Sequence, residues 1–317
     1  MKTLDHKIDF AVVLSVTKAN PNGDPLNGNR PRQNYDGHGE ISDVAIKRKI
    51  RNRLQDMEES IFVQSNDRKV DQFNSLRERA ETNVDLVKAL KSKDNPHEQF
   101  AAIACKEWID VRSFGQVFAF KGGAGKGVSV GVRGPVSIHT ATSVDPIDIT
   151  SMQITKSVNS EPGKDKGSDT MGMKHRVDFG VYVFYGSINT QLAEKTGFTN
   201  EDAEKIKNAL VTLFENDASA ARPEGSIGFT NEDAEKIKNA LVTLFENDAS
   251  AARPEGSIEV HKVCWWDHNS KLGQYSSAKV HRLLEVKRNI DEPKTIDDYT
   301  VLVHELDDLK VEIINGM

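Results

Sequence analysis

Residues 19–54 place a loop rich in glycine, asparagine and proline directly before a strongly basic segment. Prolines and glycines at this density exclude regular structure, which leaves many backbone amides of the loop free for other contacts. Arg30 and Arg32 add guanidinium groups, whose fork matches phosphate geometry better than an ammonium group does, and Asn22 adds a side-chain amide. The loop and the basic segment together predict a surface that holds the backbone of a polyanion.

The basic segment has the pattern of a helix. Ser42 or Asp43 can cap it. An apolar stripe follows at helical spacing, formed by Ile46, Ile50 and Leu54. The remaining faces carry five cations: Lys47, Arg48, Lys49, Arg51 and Arg53. Because basic helix faces are often only solvated or paired with carboxylates, the helix alone has two interpretations. Its position beside the loop favours contact with a nucleic acid.

A second glycine-rich loop, KGGAGKG at residues 121–127, has the composition of a phosphate-binding P-loop but not its spacing. The motif G-x-x-x-x-G-K-[ST] needs glycine where Phe120 stands and serine or threonine where Gly127 stands. Composition alone predicts a flexible hairpin tip. The functional alternative is a mobile loop whose Lys121 and Lys126 touch phosphates or a neighbouring subunit.

Residues 150–176 have almost no core-forming pattern, although they separate two convincing strands. A structureless stretch of this length in a compact domain is usually functional or disordered. Its end brings methionines and cations together: Met171, Met173, Lys174, His175 and Arg176. His175 is a poor catalytic candidate, because no carboxylate or nucleophile accompanies it at a suggestive spacing.

Apolar runs predict the strands that must position these segments. Residues 8–16 are apolar on both faces, which indicates a central strand. Further strands are predicted at 111–120 with a break at Gly115, and at 128–138, 176–188, 259–269 and 281–289. The order of elements predicts an α+β fold with a ferredoxin-like, RRM-like βαββαβ core and long insertions. Residues 60–108 are interpreted as a peripheral helical insertion, and Trp265 and Trp266 as residues for packing and subunit contact.

Residues 197–227 recur without a single change as residues 228–258. Two copies are too few for a solenoid, and old repeats diverge, so the identity indicates a recent duplication, an engineered insertion or a sequence-assembly artefact. Each copy predicts one helix, capped by Thr199 with Asp202 three residues on, or by the equivalent pair. The predicted apolar face comprises Ala203, Ile206, Leu210, Leu213 and Phe214. We predict that one copy fills the native position and the other is a surface insertion.

The composition is that of a soluble globular protein, with 317 residues of which 37% are hydrophobic and 28% charged. Cys105 and Cys264 have no CxxC spacing, which excludes a disulfide framework and a zinc-ribbon site, and we expect no cofactor. No signal peptide or membrane-length apolar run is present, so we expect a cytoplasmic protein that contacts no membrane. The net charge of −6 argues against a nucleic-acid partner, but residues 1–53 carry ten Lys/Arg against six Asp/Glu. Binding of a polyanion depends on the local electrostatic potential and not on the net charge of the whole chain.

Three blocks of the sequence resemble a single family. They are NPNGDP-x-N-x-N-x-PR followed by ISDVAIKRKIRN, then GVRGPVSIHTATSVDPI, and then TMGMKHRVDFGVYVFYGSIN. Each is similar to the Cascade backbone subunit of type I-C CRISPR systems, in the Cas7 family of the RAMP superfamily. The blocks occur in the order of the family, and matching segments extend from about residue 8 to residue 288. The resemblance implies a single RRM-like backbone domain over residues 1–317, with room for one copy of the repeat.

The resemblance implies a non-catalytic subunit that binds CRISPR RNA and assembles head-to-tail with copies of itself along the guide. Other Cascade subunits are implied partners, and target DNA is reached through pairing with the guide. Residues 150–176 would form a thumb that reaches the next subunit and interrupts base stacking. Because no aromatic RNP motif is present, binding would use the backbone and the insertions. The expected RNA-binding residues are Asn22, Arg30, Arg32, Lys47, Arg48, Arg51, Lys121, Lys126, Met171, Met173, Lys174, His175 and Arg176.

The main alternative is a metal-dependent endoribonuclease of the same superfamily, with Asp24 as the catalytic residue and Asp36 behind it. A metal site needs more than one well-placed carboxylate. Asp24 also lies between Gly23 and Pro25, where an aspartate that stabilises a turn is common. A third class is a generic RNA- or DNA-binding module that acts as a monomer.

Overall fold

The computed structural model describes residues 2–120, 128–155, 171–213 and 258–315. The strands there are β1 (Ile8–Ala19), β2 (Gly23–Asp24), β3 (Arg30–Pro31), β4 (His38–Ile41), β5 (Gly115–Phe120), β6 (Val128–Arg133), β7 (Val136–Ile138), β8 (Ala141–Pro146), β9 (Ile149–Thr155), β10 (Met171–Ile188), β11 (Ile258–Asp267), β12 (Leu284–Arg288), β13 (Tyr299–Val303) and β14 (Val311–Asn315). The helices are α1 (Asp43–Asp56), α2 (Leu76–Thr82), α3 (Val84–Leu90), α4 (Pro96–Glu107), α5 (Ile109–Phe114), α6 (Thr190–Thr196), α7 (Asn200–Val211) and α8 (Ser277–His281). The fold is α+β, as predicted.

One antiparallel sheet organises the fold, in the strand order β14–β11–β1–β10–β8–β4, and β7 and β9 also pair with β10. β1 lies in the middle: Val12 pairs with Phe184 of β10 on one side and with Val263 of β11 on the other. Residues 8–16 of β1 are all buried. This confirms the predicted central strand, since only a strand covered on both faces needs apolar side chains in both directions.

Helices α1 and α7 cover one face of this sheet. The predicted stripe of Ile46, Ile50 and Leu54 is fully buried there, in one cluster with Ile206 of α7. Ser42 caps α1 by accepting a hydrogen bond from the backbone N–H of Ala45 at 3.3 Å. Both features of α1 that place the basic residues are therefore as predicted.

The opposite face of the sheet is covered by the β12–β13 pair and by α8. Trp266 packs on this side with Val280 and Leu284, whereas Trp265 lies on the helix side. The Trp265 ring is stacked on Phe10 with centroids 5.7 Å apart. Both tryptophans are buried, which confirms the packing role predicted for them, and their predicted contact with another subunit stays a prediction.

A second hydrophobic cluster lies between α2–α5 and the β5–β6 pair, around Phe62, Phe100 and Phe118. The strand predicted over 111–120 is wrong in its first half, because Ile109–Phe114 is helical and the strand begins at Gly115. Gly115 has φ +80°, and a Cβ there would lie 2.4 Å from the carbonyl oxygen of Val132. The sharp change from helix to strand therefore requires glycine.

The interval predicted as an irregular excursion begins and ends in regular structure. β9 and the first part of β10 pair in antiparallel register, from Ile149 opposite Val177 to Thr155 opposite Met171. The prediction of no regular structure over 150–176 is wrong for these two ends. The strands of an exposed hairpin need no alternation of apolar and polar residues. A search for such alternation in the sequence therefore does not detect them. Residues 156–170 lie outside the described residues.

The helix of the first repeat copy fills the position between β10 and β11. Its face of Ala203, Ile206, Leu210 and Leu213 is buried in the main core. The predicted capping box forms between Thr199 and Asp202. Phe214 and the second helix, for which a surface insertion was predicted, lie outside the described residues.

Candidate nucleic-acid interface

The asparagine-rich loop is built as a small hairpin, β2–β3, around a 3₁₀ turn at Pro25–Asn27. Asp24 caps this turn by accepting from the backbone N–H of Leu26 at 3.2 Å. Asn20 donates its side-chain N–H to the carbonyl of Asn29 at 2.7 Å. Gly28 at φ +58° and Asn29 at φ +59° reverse the chain in the left-handed region. Several polar groups of the loop therefore stabilise the conformation of the loop.

Asn22 joins this hairpin to the basic helix. Its side-chain oxygen accepts from the backbone N–H of Ser42, the cap of α1, at 2.9 Å, and its carbonyl accepts from the N–H of Arg32 at 3.0 Å. The orientation of the loop and the start of the helix are thus set by one residue. The side-chain oxygen of Asn22 thus stabilises the junction of loop and helix, and contact of Asn22 with RNA stays a prediction.

Two segments that the sequence singled out separately meet at Ser151 of β9. Arg30 of β3 donates from Nη1 to Ser151 Oγ at 3.0 Å, and His175 Nδ1 of β10 lies 2.8 Å from the same oxygen. A Cβ on Gly28 would lie 4.0 Å from His175 Nε2, so the hairpin turn sits against the imidazole. We call these four residues, Gly28, Arg30, Ser151 and His175, the loop–hairpin patch.

The hydrogen bonding of the patch follows from the donors available. A guanidinium group only donates, so Ser151 Oγ accepts from Arg30. Nδ1 of His175 lies within hydrogen-bond distance of the same oxygen, at 2.8 Å. Ser151 is exposed, and Arg30 and His175 are partly exposed. The patch therefore presents N–H donors to solvent, as anion binding requires.

The other predicted residues of β10 divide between the two faces of the strand. Met173 lies on the face of His175, paired with Gln153, and Met173 is 54% exposed. Lys174 and Arg176 alternate with them and lie on the opposite face. Met171 opposes Thr155 at the end of the described strand, and its side chain is outside the described part. The predicted wedge and its cations are thus adjacent in sequence but face different sides.

Arg32 and Arg176 each lie near one carboxylate. Arg32 Nη2 is 3.5 Å from Asp24 Oδ1, and Arg176 Nε is 3.5 Å from Asp178 Oδ1. The Nε atoms of both arginines are buried and make no hydrogen bond within the described part of the chain. The Arg32 side chain is 38% exposed. Each of these two guanidinium groups therefore has one described carboxylate neighbour, at a distance above the usual hydrogen-bond range.

The cations of α1 are used differently. Arg51 donates from Nε to the fully buried Asp110 at 2.8 Å and lies over the Phe114 ring, and Arg48 donates from Nη1 to the carbonyl of Val63 at 2.6 Å. Burial and the neighbouring Arg51 charge lower the pKa of Arg48. Lys47 pairs with Asp43 within the helix at 3.0 Å. The three predicted RNA contacts of the helix all bond to groups of this chain, and RNA contact by them stays a prediction.

Lys121 and Lys126 lie outside the described residues. The sequence reasoning also missed two features of this surface. Ser151 carries no motif, and only the pairing of β9 with β10 places it opposite His175. Leu26 is 98% exposed on the turn of the hairpin, near the patch along the chain. The sequence did contain an indication of this feature, because an apolar residue within an Asn/Gly/Pro-rich loop is often exposed in the monomer and can mark a contact surface.

The catalytic alternative depended on Asp24, and the structure gives that carboxylate a structural task in the turn beside Arg32. Within residues 2–120, 128–155, 171–213 and 258–315, no group of three or more His, Cys, Asp or Glu side chains is arranged to hold a metal ion. In the same ranges, no helix has the length and apolar character that crossing a bilayer requires.

Comparison with known proteins gives a consistent family. A family model described as CRISPR-associated protein Cas7 matches residues 6–227 and again 223–304, so that the two matched segments meet within the duplicated unit. A curated relative from Haloferax volcanii, described as CRISPR-associated protein Cas7, is 25% identical over 234 residues, which cover 69% of this chain and 67% of the relative.

Two solved structures are also similar to the chain. A chain of a CRISPR RNA-guided surveillance complex in a pre-nicking state has 15% identity and a TM-score of 0.44, and the match covers 82% of this chain and 78% of that one. A chain of another CRISPR RNA-guided surveillance complex has 16% identity and a TM-score of 0.41, with 82% and 68% covered.

Proposed function

The chain belongs to the Cas7 family, and from that premise we propose that it is a non-catalytic CRISPR RNA-binding subunit that forms the backbone of a Cascade surveillance complex. Copies of the chain would line up head-to-tail along the guide. The guide would then read target DNA by base pairing, while the protein holds phosphates and shape. Other Cascade subunits, a type I-C system and a cytoplasmic location belong to the same proposal.

The observation that carries the proposal is the loop–hairpin patch. Arg30 and His175 come from segments more than a hundred residues apart in the chain, and Ser151 holds both within 3.0 Å of one oxygen. Neither Arg30 nor His175 has a carboxylate among its described hydrogen-bond partners. A guanidinium and an imidazole held together without a neutralising carboxylate suit a phosphate.

We assign direct backbone contact to Arg30, Arg32 and His175, with Lys174 and Arg176 on the opposite face of the hairpin. Asn22, Lys47, Arg48 and Arg51 would act mainly by holding the loop and the helix in place, because each has a carboxylate or a backbone group of this chain as a described partner. Lys121 and Lys126 would assist. The proposal thus separates residues that touch RNA from residues that support them.

The β9–β10 hairpin would be the base of the thumb. Its paired strands extend beyond the region where β10 pairs with β1, and it carries the exposed Met173. An exposed unbranched apolar side chain can enter between bases and interrupt their stacking. The cations on the other face would then lie near the guide of the same or the next protomer.

We further propose that the core is ferredoxin-like. In chain order, β1, α1, β8, β10, α7 and β11 follow a βαββαβ pattern, and the spatial order β11–β1–β10–β8 has every neighbouring pair antiparallel. That order and pattern support the topology. The other strands and α2–α5 would be additions to it.

Light scattering after size-exclusion tests the assembly, with guide RNAs of two lengths from the same system. A filament backbone predicts that the number of protomers per RNA rises in proportion to guide length. A monomeric RNA-binding module would instead keep one protomer per RNA at both lengths, and this result would contradict the proposal. Incubation of the same samples with magnesium tests the catalytic alternative, because the proposal predicts that the RNA stays intact.

A further inference from the structure

A pocket lies on the face of the sheet that α8 and the β12–β13 pair cover, and it contains none of the residues assigned to RNA. Its volume is about 460 Å³. The residues that line it come from β10, from the end of α8 and from the adjoining ends of β12 and β13: Tyr185, His281, Arg282, Leu284, Glu285 and His304. Sites for small molecules typically have volumes of roughly 300–1,000 Å³, so the pocket has room for one such ligand.

Two rings form one wall of this pocket. The Tyr185 ring is stacked on the imidazole of His281, with centroids 4.9 Å apart and planes 22° from parallel. His281 is only 8% exposed, and its Nε2 donates to the carbonyl of Gly186 at 3.1 Å. Burial lowers the pKa of His281, so the imidazole is neutral at neutral pH and its Nδ1 is an acceptor. The wall is therefore a fixed, uncharged aromatic surface, which suits the flat face of a nucleobase.

The rest of the lining carries polar groups of both signs. Arg282 directly follows α8 and is exposed, and within the described residues it has no carboxylate partner. The Glu285 carboxylate is held by Lys287 at 2.9 Å and lies 3.4 Å from His304. Lys287 and His304 lower the pKa of Glu285, which keeps this carboxylate ionised and able to accept further hydrogen bonds. The pocket thus combines an aromatic wall with a guanidinium group and a group that only accepts.

We propose that this pocket binds a ribonucleotide, taken either as a free ribonucleoside monophosphate or as one nucleotide of a strand. The base would lie against Tyr185 and His281, and the phosphate would accept hydrogen bonds from the guanidinium of Arg282. The ribose hydroxyl groups would donate to Glu285, as they donate to the carboxylate in dinucleotide sites. The inference does not depend on the RNA-binding proposal, because the pocket and the loop–hairpin patch share no residue.

Isothermal titration calorimetry of the full chain without RNA tests the pocket, with adenosine monophosphate as the ligand. We expect one molecule to bind per chain, with a Kd below about 1 mM. Adenosine lacks the phosphate and ribose phosphate lacks the base, and each should bind about tenfold more weakly or worse. Deoxyadenosine monophosphate should also bind more weakly, because one hydroxyl donor to Glu285 is lost. Absence of binding overturns the inference, and so does inorganic phosphate that binds as tightly as the nucleotide.

Arg282→Ala locates the binding site on the chain. It should weaken adenosine monophosphate by about tenfold and leave adenosine unchanged, because only the phosphate contact is removed. Lys279→Ala is the matched control, since Lys279 is an exposed cation of α8 that lies over the Tyr275 ring outside the pocket. Arg30→Ala should also leave nucleotide binding unchanged, which keeps this test separate from that of the loop–hairpin patch. Unchanged nucleotide binding by Arg282→Ala overturns the assignment.

Titration of the protein already bound to guide RNA distinguishes the two sources of the nucleotide. If the pocket takes a free nucleotide, adenosine monophosphate should bind the RNA-loaded protein with the same Kd. If it takes a nucleotide of the guide, bound RNA should exclude adenosine monophosphate, and Arg282→Ala should then weaken guide binding as well. Both results support a ribonucleotide pocket and differ only in what fills it.

Discussion

The basic helix and the loop–hairpin patch carry the same kind of cation and use it in opposite ways. Arg51 of α1 is paired with the carboxylate of Asp110, which is fully buried and also accepts the backbone N–H groups of Phe62 and Val63. Arg30 in the patch is bonded to the neutral hydroxyl of Ser151 at the surface. The charge of Arg51 is compensated by a buried ion pair, whereas Arg30 makes no ion pair within the described part of the chain.

The difference separates a cation that stabilises the protein from one that attracts a ligand. A cation neutralised by a buried carboxylate adds little to the electrostatic potential at the protein surface. A cation whose partner is a neutral hydroxyl still contributes its full charge to that potential. Density of arginine and lysine in the sequence does not distinguish the two cases. The partner of each cation does.

Replacement of Arg51 should produce the largest effect, and it should be an effect on stability. Arg51→Ala leaves the buried carboxylate of Asp110 without its cation, and we expect a loss of about 3 kcal/mol in the free energy of unfolding. Urea denaturation measures this. Arg77→Ala is the matched control, because Arg77 pairs with Glu81 on the exposed surface of α2, and its loss should stay within about 0.5 kcal/mol. An Arg51→Ala protein of unchanged stability with weakened RNA binding would invert the comparison.

Replacement of Arg30 should give a smaller effect, and it should fall on RNA binding. We expect Arg30→Ala to weaken binding of guide RNA by about tenfold, and to reduce the slope of log affinity against log salt by about one phosphate contact. The free energy of unfolding should change by less than about 0.5 kcal/mol, because the hydrogen bond that the structure describes for the Arg30 side chain lies at the surface. Filter binding over a salt series gives the slope.

The same salt series on Arg48→Ala/Arg51→Ala completes the test of the helix. Because both guanidinium groups are bonded inside the chain, the salt slope of this double variant should stay close to that of the unmodified protein once the sample is confirmed to be folded. A slope reduced by about two phosphate contacts would place α1 on the RNA and would contradict a structural role for its arginines.

Helices and strands were predictable from the sequence where the spacing of apolar residues matches the face that is buried. The continuous apolar run of β1 and the stripe of α1 are buried as predicted, and Ser42 and the Thr199–Asp202 pair cap their helices as predicted. These features depend on residues within a few positions of one another. Short-range spacing is information that a sequence displays directly.

The partners of the cations were not predictable, because they lie far away in the chain. Asp110 follows Arg51 by 59 positions, and Ser151 follows Arg30 by 121. The helix at Ile109–Phe114 was missed for a related reason: Asp110 is placed by its buried hydrogen bonds, not by the alternation of its neighbours. A charge pattern therefore predicts that a region is basic, and the tertiary structure decides what the charges do.

Ser151 should show the smallest effect, because it positions two RNA-binding side chains without needing to touch the RNA. Ser151→Ala removes the oxygen that holds Arg30 and His175, and we expect RNA affinity to fall by about two- to fivefold, because both side chains remain but are no longer held in place. The salt slope should not change, since no cation is lost. Ser151→Thr keeps the hydroxyl and should restore affinity. Ser137→Ala is the control, because that hydroxyl bonds Ser187 on the exposed β7–β10 pairing.

The outcome also decides whether the patch is one site or two separate contacts. The double variant Ser151→Ala/Arg30→Ala distinguishes the two cases. If the site is shared, adding Ser151→Ala to Arg30→Ala should weaken RNA binding less than Ser151→Ala does in the unmodified protein, because part of the serine effect acts through Arg30. Fully multiplicative losses would mean that Ser151 and Arg30 contribute independently. In that case the hairpin and the loop would each meet the RNA alone, and the convergence at Ser151 would be a feature of the fold only.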